Sequence, residues 1–156
     1  MRGYTLIELL IVISIMGLII VGGYAGFRDF SRRQALTGQA RMVEADLRQA
    51  QQKALAGDKG GCSGVLAGYQ FAVSGSSYSV TPVCSVANGL AKDVPLSAGY
   101  TLALAPPVSG ILFKVLGQGT NLAAGAVEQV IVTQTATGKQ TKIRVTAAGE
   151  ITNPVP

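Results

Sequence analysis

The chain has 156 residues, 48% of them hydrophobic, 13% charged and 6% aromatic, with 20 Gly, no Trp and no His. That length holds one ordinary domain plus one extra element, leaving little room for a multidomain enzyme, and the charge content is about half the soluble average of about 25%. Without His there is no Ser-His-Asp or Cys-His nucleophilic site, no imidazole metal ligand and no neutral-pH imidazole shuttle, and a net charge of +5 implies only mild attraction to anionic partners.

The apolar residues are concentrated at the start. From Leu9 to Phe27 run 19 residues without a charge. As a helix this stretch spans roughly 28 Å, close to the hydrocarbon thickness of a bilayer. A cleaved signal peptide is the competing explanation, but it calls for a shorter apolar stretch followed by a small-residue cleavage site. Just upstream, Glu8 interrupts an otherwise apolar beginning. A carboxylate at bilayer depth costs about 2.5 to 3.5 kcal/mol on insertion scales, so it calls for a partner unless it reaches interfacial water.

Gly3-Tyr4-Thr5-Leu6-Ile7-Glu8-Leu9-Leu10-Ile11-Val12 resembles the processing and methylation motif of type IV prepilins and type II secretion pseudopilins. The resemblance rests on a short basic leader ending in Gly, an aromatic residue next, a Glu five residues after the Gly, and a long apolar helix. It implies cleavage between Gly3 and Tyr4 by a membrane prepilin peptidase, methylation of the new Tyr4 amine, and Glu8 as the fifth residue of the mature chain. Other pilin subunits, the peptidase and methylase, and an inner-membrane assembly platform are then the implied partners. A single-pass precursor in the bacterial inner membrane would become an extracellular filament. The Tyr4 ammonium and the Glu8 carboxylate are each costly in an apolar bundle, and pairing between neighbouring subunits would offset both costs and select one axial register. Charge placement pulls the other way. Arg28, Arg32 and Arg33 follow the run and only Arg2 precedes it, so the positive-inside rule favours a cytoplasmic C-terminal side, opposite to what the resemblance implies.

Gly17, Gly22, Gly23 and Gly26 interrupt good helix formers, each at about 1 kcal/mol relative to Ala. They suit either close helix packing in a membrane or a zone that unwinds when the subunit enters a filament. From Arg28 to Ala56 the pattern becomes amphipathic. Leu36, Ala40, Val43, Leu47, Ala50 and Ala54 recur at steps of four and three along one face. Beyond Ala56, Gly, Ser, Ala, Val and Thr alternate in short runs, predicting antiparallel strands near 69–73, 78–80, 110–115, 128–134 and 141–146, with loops at 92–98 and 106–107. The predicted organisation is a leader over 1–3, a membrane or filament-core helix over 4–27, an amphipathic helical half over 28–56 and a β-rich head over 57–156. The fold class is α+β: a long N-terminal helix packed on an antiparallel sheet, as in a pilin.

Residues 61 to 156 carry only eight charged side chains. Either much of the head surface contacts other heads, or it is polar through uncharged Gly, Ser and Thr. Cys62 and Cys84 are the two cysteines. In an exported head they are expected to form a disulfide worth about 3 kcal/mol in the chain-entropy account. No cofactor or metal site is expected, and no catalytic set is visible.

The head also resembles GspH/FimT-like minor pilins in short stretches: a Gly-Tyr strand, Tyr78-Ser79-Val80, Gly110-Ile111-Leu112-Phe113, and Ile143-Arg144-Val145 followed by Gly149-Glu150-Ile151-Thr152. Some members of that family bind DNA for uptake through basic residues near the chain end. Here Lys142 and Arg144 alternate with Ile143 and Val145, which puts both cations on one strand face, with Lys139 in the adjoining turn. Glu150 and the absence of an aromatic platform favour a plain solvated strand. Three roles follow from the resemblances: a major or minor subunit of a type IV pilus-like filament serving adhesion, motility or DNA uptake; a type II secretion pseudopilin; or a DNA-binding minor pilin.

Overall fold

The computed structural model describes residues 4–152, with side-chain surroundings for all of these except 21–26. Among the described residues one α-helix, α1 (Leu6–Ala56), is followed by eight strands and a short 3-10 turn at Val115–Gly117. The chain divides into two compact units, Met1–Ala35 and Leu36–Pro156, so α1 contributes to both.

The helix has defined ends. The Thr5 hydroxyl accepts the Glu8 backbone N–H at 3.3 Å, and Glu8 lies in the first turn, where the helix dipole favours an acidic group. At the other end Gly57 takes φ +67°, its N–H donates to the Ala54 carbonyl, and the Asp58 N–H donates to the Lys53 carbonyl. This is a Schellman arrangement, which a glycine in the left-handed conformation makes without a Cβ penalty. Lys53 sits in the last turn, complementing the negative end of the dipole.

In the second unit the predicted stripe is the buried face. Leu36 is 5% exposed and Ala40, Val43, Leu47, Ala50 and Ala54 are all at 0%. Small side chains at 40, 50 and 54 let the helix approach the strands closely, and Leu47→Ala would cost about 2 to 5 kcal/mol by leaving a cavity. Polar contacts fasten both flanks. Asp46 accepts from the Tyr78 hydroxyl at 2.7 Å and from Lys92 Nζ at 2.8 Å, while Arg48 and Gln51 donate to the carbonyls of Ile151 and Gly149 at 3.2 and 2.8 Å.

The strands form two four-stranded antiparallel sheets rather than one. The first contains β1 (Leu66–Ser74), β2 (Ser77–Cys84), β3 (Lys92–Pro95) and β5 (Ile111–Lys114), in the order β3-β2-β1-β5. The second contains β4 (Tyr100–Ala105), β6 (Val127–Gln134), β7 (Gln140–Thr146) and β8 (Ile151–Thr152), in the order β4-β6-β7-β8. The strands expected near 69–73 and 78–80 form a hairpin: Ser74 opposes Ser77 across Gly75-Ser76, and inward Phe71 and Tyr78 rings lie 5.2 Å apart.

Three segments depart from the expected pattern, one of them Ile151–Thr152, which pairs with β7 as β8. Lys92–Pro95, expected as loop, is edge strand β3, with Lys92 opposite Val80 and Pro95 opposite Ser77. Four residues ending in Pro carry no periodicity of their own, and the open edge of β2 supplies the pairing. The segment Tyr100–Ala105, outside the expected strands, is β4, with Leu102 buried. The sheets are tied where the Leu102 N–H donates to the Gly75 carbonyl at 2.7 Å and the Thr120 N–H to the Ala147 carbonyl at 2.9 Å. Gly119, at φ +74°, abuts the Ala147 carbonyl, leaving no room for a Cβ.

Candidate functional site: the N-terminal helical segment

Tyr4 is 84% exposed, and the apolar side chains that follow are exposed as well, among them Leu6 at 84% and Ile20 at 69%. A solvated run of this kind is unstable in water and calls for lipid or a protein partner. Glu8 is exposed beside it, one turn beyond Tyr4. Gly3, the expected cleavage-site residue, lies outside the described residues.

The Thr5–Glu8 contact gives Glu8 a second role. Thr5-Leu6-Ile7-Glu8 has the Ser/Thr-x-x-Glu spacing of a capping box, a pattern complete within four consecutive residues. Its place in the first helical turn, where the dipole favours a carboxylate, gives Glu8 a local reason to be acidic in addition to any intermolecular pairing. Further along, Ser14 Oγ donates to the Leu10 carbonyl at 2.9 Å, removing a hydroxyl from the apolar surface. A Cβ at Gly17 would meet nothing within 4 Å, so no contact inside the unit requires glycine there. The surroundings of Gly22, Gly23 and Gly26 lie outside those described.

Among the described residues, no helix is long and apolar enough to cross a membrane. Within the 19-residue run, side-chain exposure is described for Leu9 to Ile20 and for Phe27 itself.

In the second unit Cys62 and Cys84 are joined in a disulfide with Cα atoms 5.9 Å apart and a sequence separation of 22. It closes the open end of the β1–β2 hairpin, beside the bridge between Ser63 and Ala87. Lys142 and Arg144 are exposed on β7, alternating with fully buried Ile143 and Val145. Their cross-strand neighbours are uncharged: Ile131 opposite Lys142, and Gln129 and Thr152 opposite Arg144. Lys139 is half-buried in the turn before β7.

Glu128, one of the few charges of the head, points inward on β6, opposite Val145, and is 1% exposed. Its Oε1 has no hydrogen-bond partner among the described residues. Burial holds its carboxyl above the ordinary carboxylate range. The cue lies in the alternation, since Glu128 falls in step with Val130 and Val132.

Residues 1–24 match the family model described as the prokaryotic N-terminal methylation motif. The match supports a type IV pilin-like or pseudopilin precursor, processed by a peptidase and assembled with other pilin subunits. No match was found among curated proteins or among solved structures.

Proposed function

We propose that this chain is a structural subunit, major or minor, of a type IV pilus-like filament. The observation that carries the reading is a methylation motif over residues 1–24 continuing into an exposed apolar helical face that bears one acidic residue, Glu8. The precursor enters the bacterial inner membrane through the run from Leu9 to Phe27. Cleavage after Gly3 frees the Tyr4 amine, and the chain then polymerises through its N-terminal helix at the cell surface.

The physical logic is mutual compensation. A Tyr4 ammonium and a Glu8 carboxylate buried in a helical bundle would each carry a desolvation cost, which meeting across subunits offsets. Slipped registers leave both unpaired and are disfavoured. The Thr5 hydroxyl caps the helix by accepting the Glu8 backbone N–H, which leaves the Glu8 carboxylate available for the neighbour. Gly17, Gly22, Gly23 and Gly26 lower the local cost of unwinding α1 on transfer from lipid to filament.

Mass spectrometry of sheared surface filaments tests this directly. The expected result is an abundant chain whose first peptide begins at methylated Tyr4. Glu8→Leu is expected to insert and be processed but not to assemble; normal filaments from that variant would sink the pairing. The alternative role, a type II secretion pseudopilin, predicts instead a deletion strain that loses protein export and sheds no surface filament containing this chain.

A second reading is favoured by one observation, the exposed Lys142 and Arg144 among uncharged cross-strand neighbours. Such a face, with Lys139 beside it, would bind DNA phosphates in a salt-dependent way. Charge reversal of Lys142 and Arg144 should then abolish retardation of DNA in a gel-shift assay, and unaltered retardation would eliminate this reading.

A further inference from the structure

Three arginines follow the apolar run of the first unit, where the positive-inside rule disfavours them on an exported side, and subunit polymerisation gives them no part. Arg28, Arg32 and Arg33 are all exposed on α1, which continues unbroken through them. Asp29 is the one acidic residue between positions 27 and 35, so this segment carries a surplus of two positive charges. Asp29 is engaged by Arg33 at 3.0 Å. Arg32 makes no ion pair or hydrogen bond among the described residues.

Helix geometry fixes where these groups lie relative to the run. With Leu9 to Phe27 filling the hydrocarbon layer, Arg28 stands immediately beyond it, and Arg33 follows roughly 7.5 Å further along the axis. One headgroup layer is about as deep, roughly 5 to 7.5 Å, being half of what the whole bilayer adds to its hydrocarbon core. The arginines therefore fall within the phosphate layer rather than past it. Arg28 and Arg32, four residues apart, project from one side of the helix, while Phe27 and Phe30, 69% and 59% exposed, project from another. A cationic side next to an aromatic one suits an interface, where rings enter the acyl boundary and guanidinium groups take phosphate oxygens.

We propose that Arg28, Arg32 and Arg33 form a collar that binds the phosphates of anionic phospholipids in the leaflet into which the span emerges, with Phe27 and Phe30 seated at the acyl boundary. The inference rests on the membrane insertion proposed above. Such binding holds the subunit at one depth and offsets the charge placement that otherwise opposes its orientation.

The test uses the full chain reconstituted in phosphatidylcholine vesicles with a trace of spin-labelled phosphatidylglycerol or phosphatidylcholine. Electron paramagnetic resonance reads the fraction of each label that the protein restricts. Phosphatidylglycerol is expected to be preferred about fivefold, the gain from one arginine at an anionic surface, and sodium chloride should reduce that preference. Arg28→Gln combined with Arg32→Gln should bring it close to one, whereas Arg41→Gln, beyond the collar, should leave it as in the parent. Both variants keep the apolar run, and resistance to carbonate extraction checks that they insert. Equal restriction of the two lipids by the inserted parent is the result expected if the arginines instead face acidic side chains of another copy, and it overturns the inference. So does a preference that is indifferent to sodium chloride, that the double variant retains, or that inorganic phosphate abolishes at matched ionic strength. A parent chain that carbonate strips from the vesicles would remove the membrane reading itself, and this inference with it.

Discussion

Tyr78 on β2 donates its phenolic proton to Asp46 on α1 at 2.7 Å, across 32 residues of chain. The same carboxylate receives Lys92 from β3 through its other oxygen. Asp46 thus joins the helix to a central strand and to an edge strand that pairs through four residues only. Burial, together with the bond to Asp46, drives the Tyr78 phenol well above its usual range, so the hydroxyl remains a donor at neutral pH.

Removing the acceptor should be worse than removing the donor. Asp46→Ala strands a buried hydroxyl and is expected to destabilise by about 1 to 3 kcal/mol, whereas Tyr78→Phe removes the hydroxyl itself and should cost about 0.5 to 1.5 kcal/mol. Thermal unfolding of both variants in detergent checks the order, and hydrogen exchange should show β3 protection falling first in Asp46→Ala.

Glu128 makes the stability of the second unit depend on pH. Its carboxyl binds a proton more tightly folded than unfolded, so its contribution is intact below the ordinary carboxylate pKa and is lost as pH rises through the raised value. Glu128→Gln is expected to stabilise the fold at pH 7 by on the order of 1 kcal/mol and to make no difference at pH 4. Unfolding midpoints at those two pH values suffice, and a gain of equal size at both would contradict the account.

Reduction of the Cys62–Cys84 bond frees the open end of the β1–β2 hairpin. The paired Cys62→Ser and Cys84→Ser variant should lose about 3 kcal/mol, mainly through the unfolded chain. Proteolysis should then cut within residues 85–91, the stretch that follows β2 and precedes β3.

Gly119 is needed for two separable reasons: φ +74° and contact with the Ala147 carbonyl. Gly119→Ala should therefore destabilise by more than the roughly 1 to 2 kcal/mol of a left-handed residue alone. Gly138, at φ +67° with nothing within 4 Å of a Cβ, is the control. Gly138→Ala should cost only the conformational part, and equal losses in the two variants would refute the steric contribution.

Legibility in the sequence differs from element to element. The buried stripe from Leu36 to Ala54 and the alternation of Lys142 and Arg144 with Ile143 and Val145 follow from local periodicity alone. The Thr5–Glu8 cap is equally legible, being a four-residue pattern. β3 is not, because Lys92–Pro95 is extended only where β2 offers an open edge. The partition into two sheets is not either, since it depends on contacts such as Leu102 with Gly75 and Thr120 with Ala147.

By itself, then, the chain's order of residues determined an apolar N-terminal helix with a methylation motif and a single acidic residue, an amphipathic continuation, and an antiparallel head. These rest on periods of a few residues, which neighbours along the chain encode. Only the tertiary structure decided that Asp46 holds Tyr78 and Lys92, that the inward Glu128 carboxyl lacks a partner for one oxygen, and that the Tyr69 hydroxyl is buried without one. Each of those facts depends on which residues far apart in the chain come together, and whether a buried polar group finds a partner there leaves no local pattern.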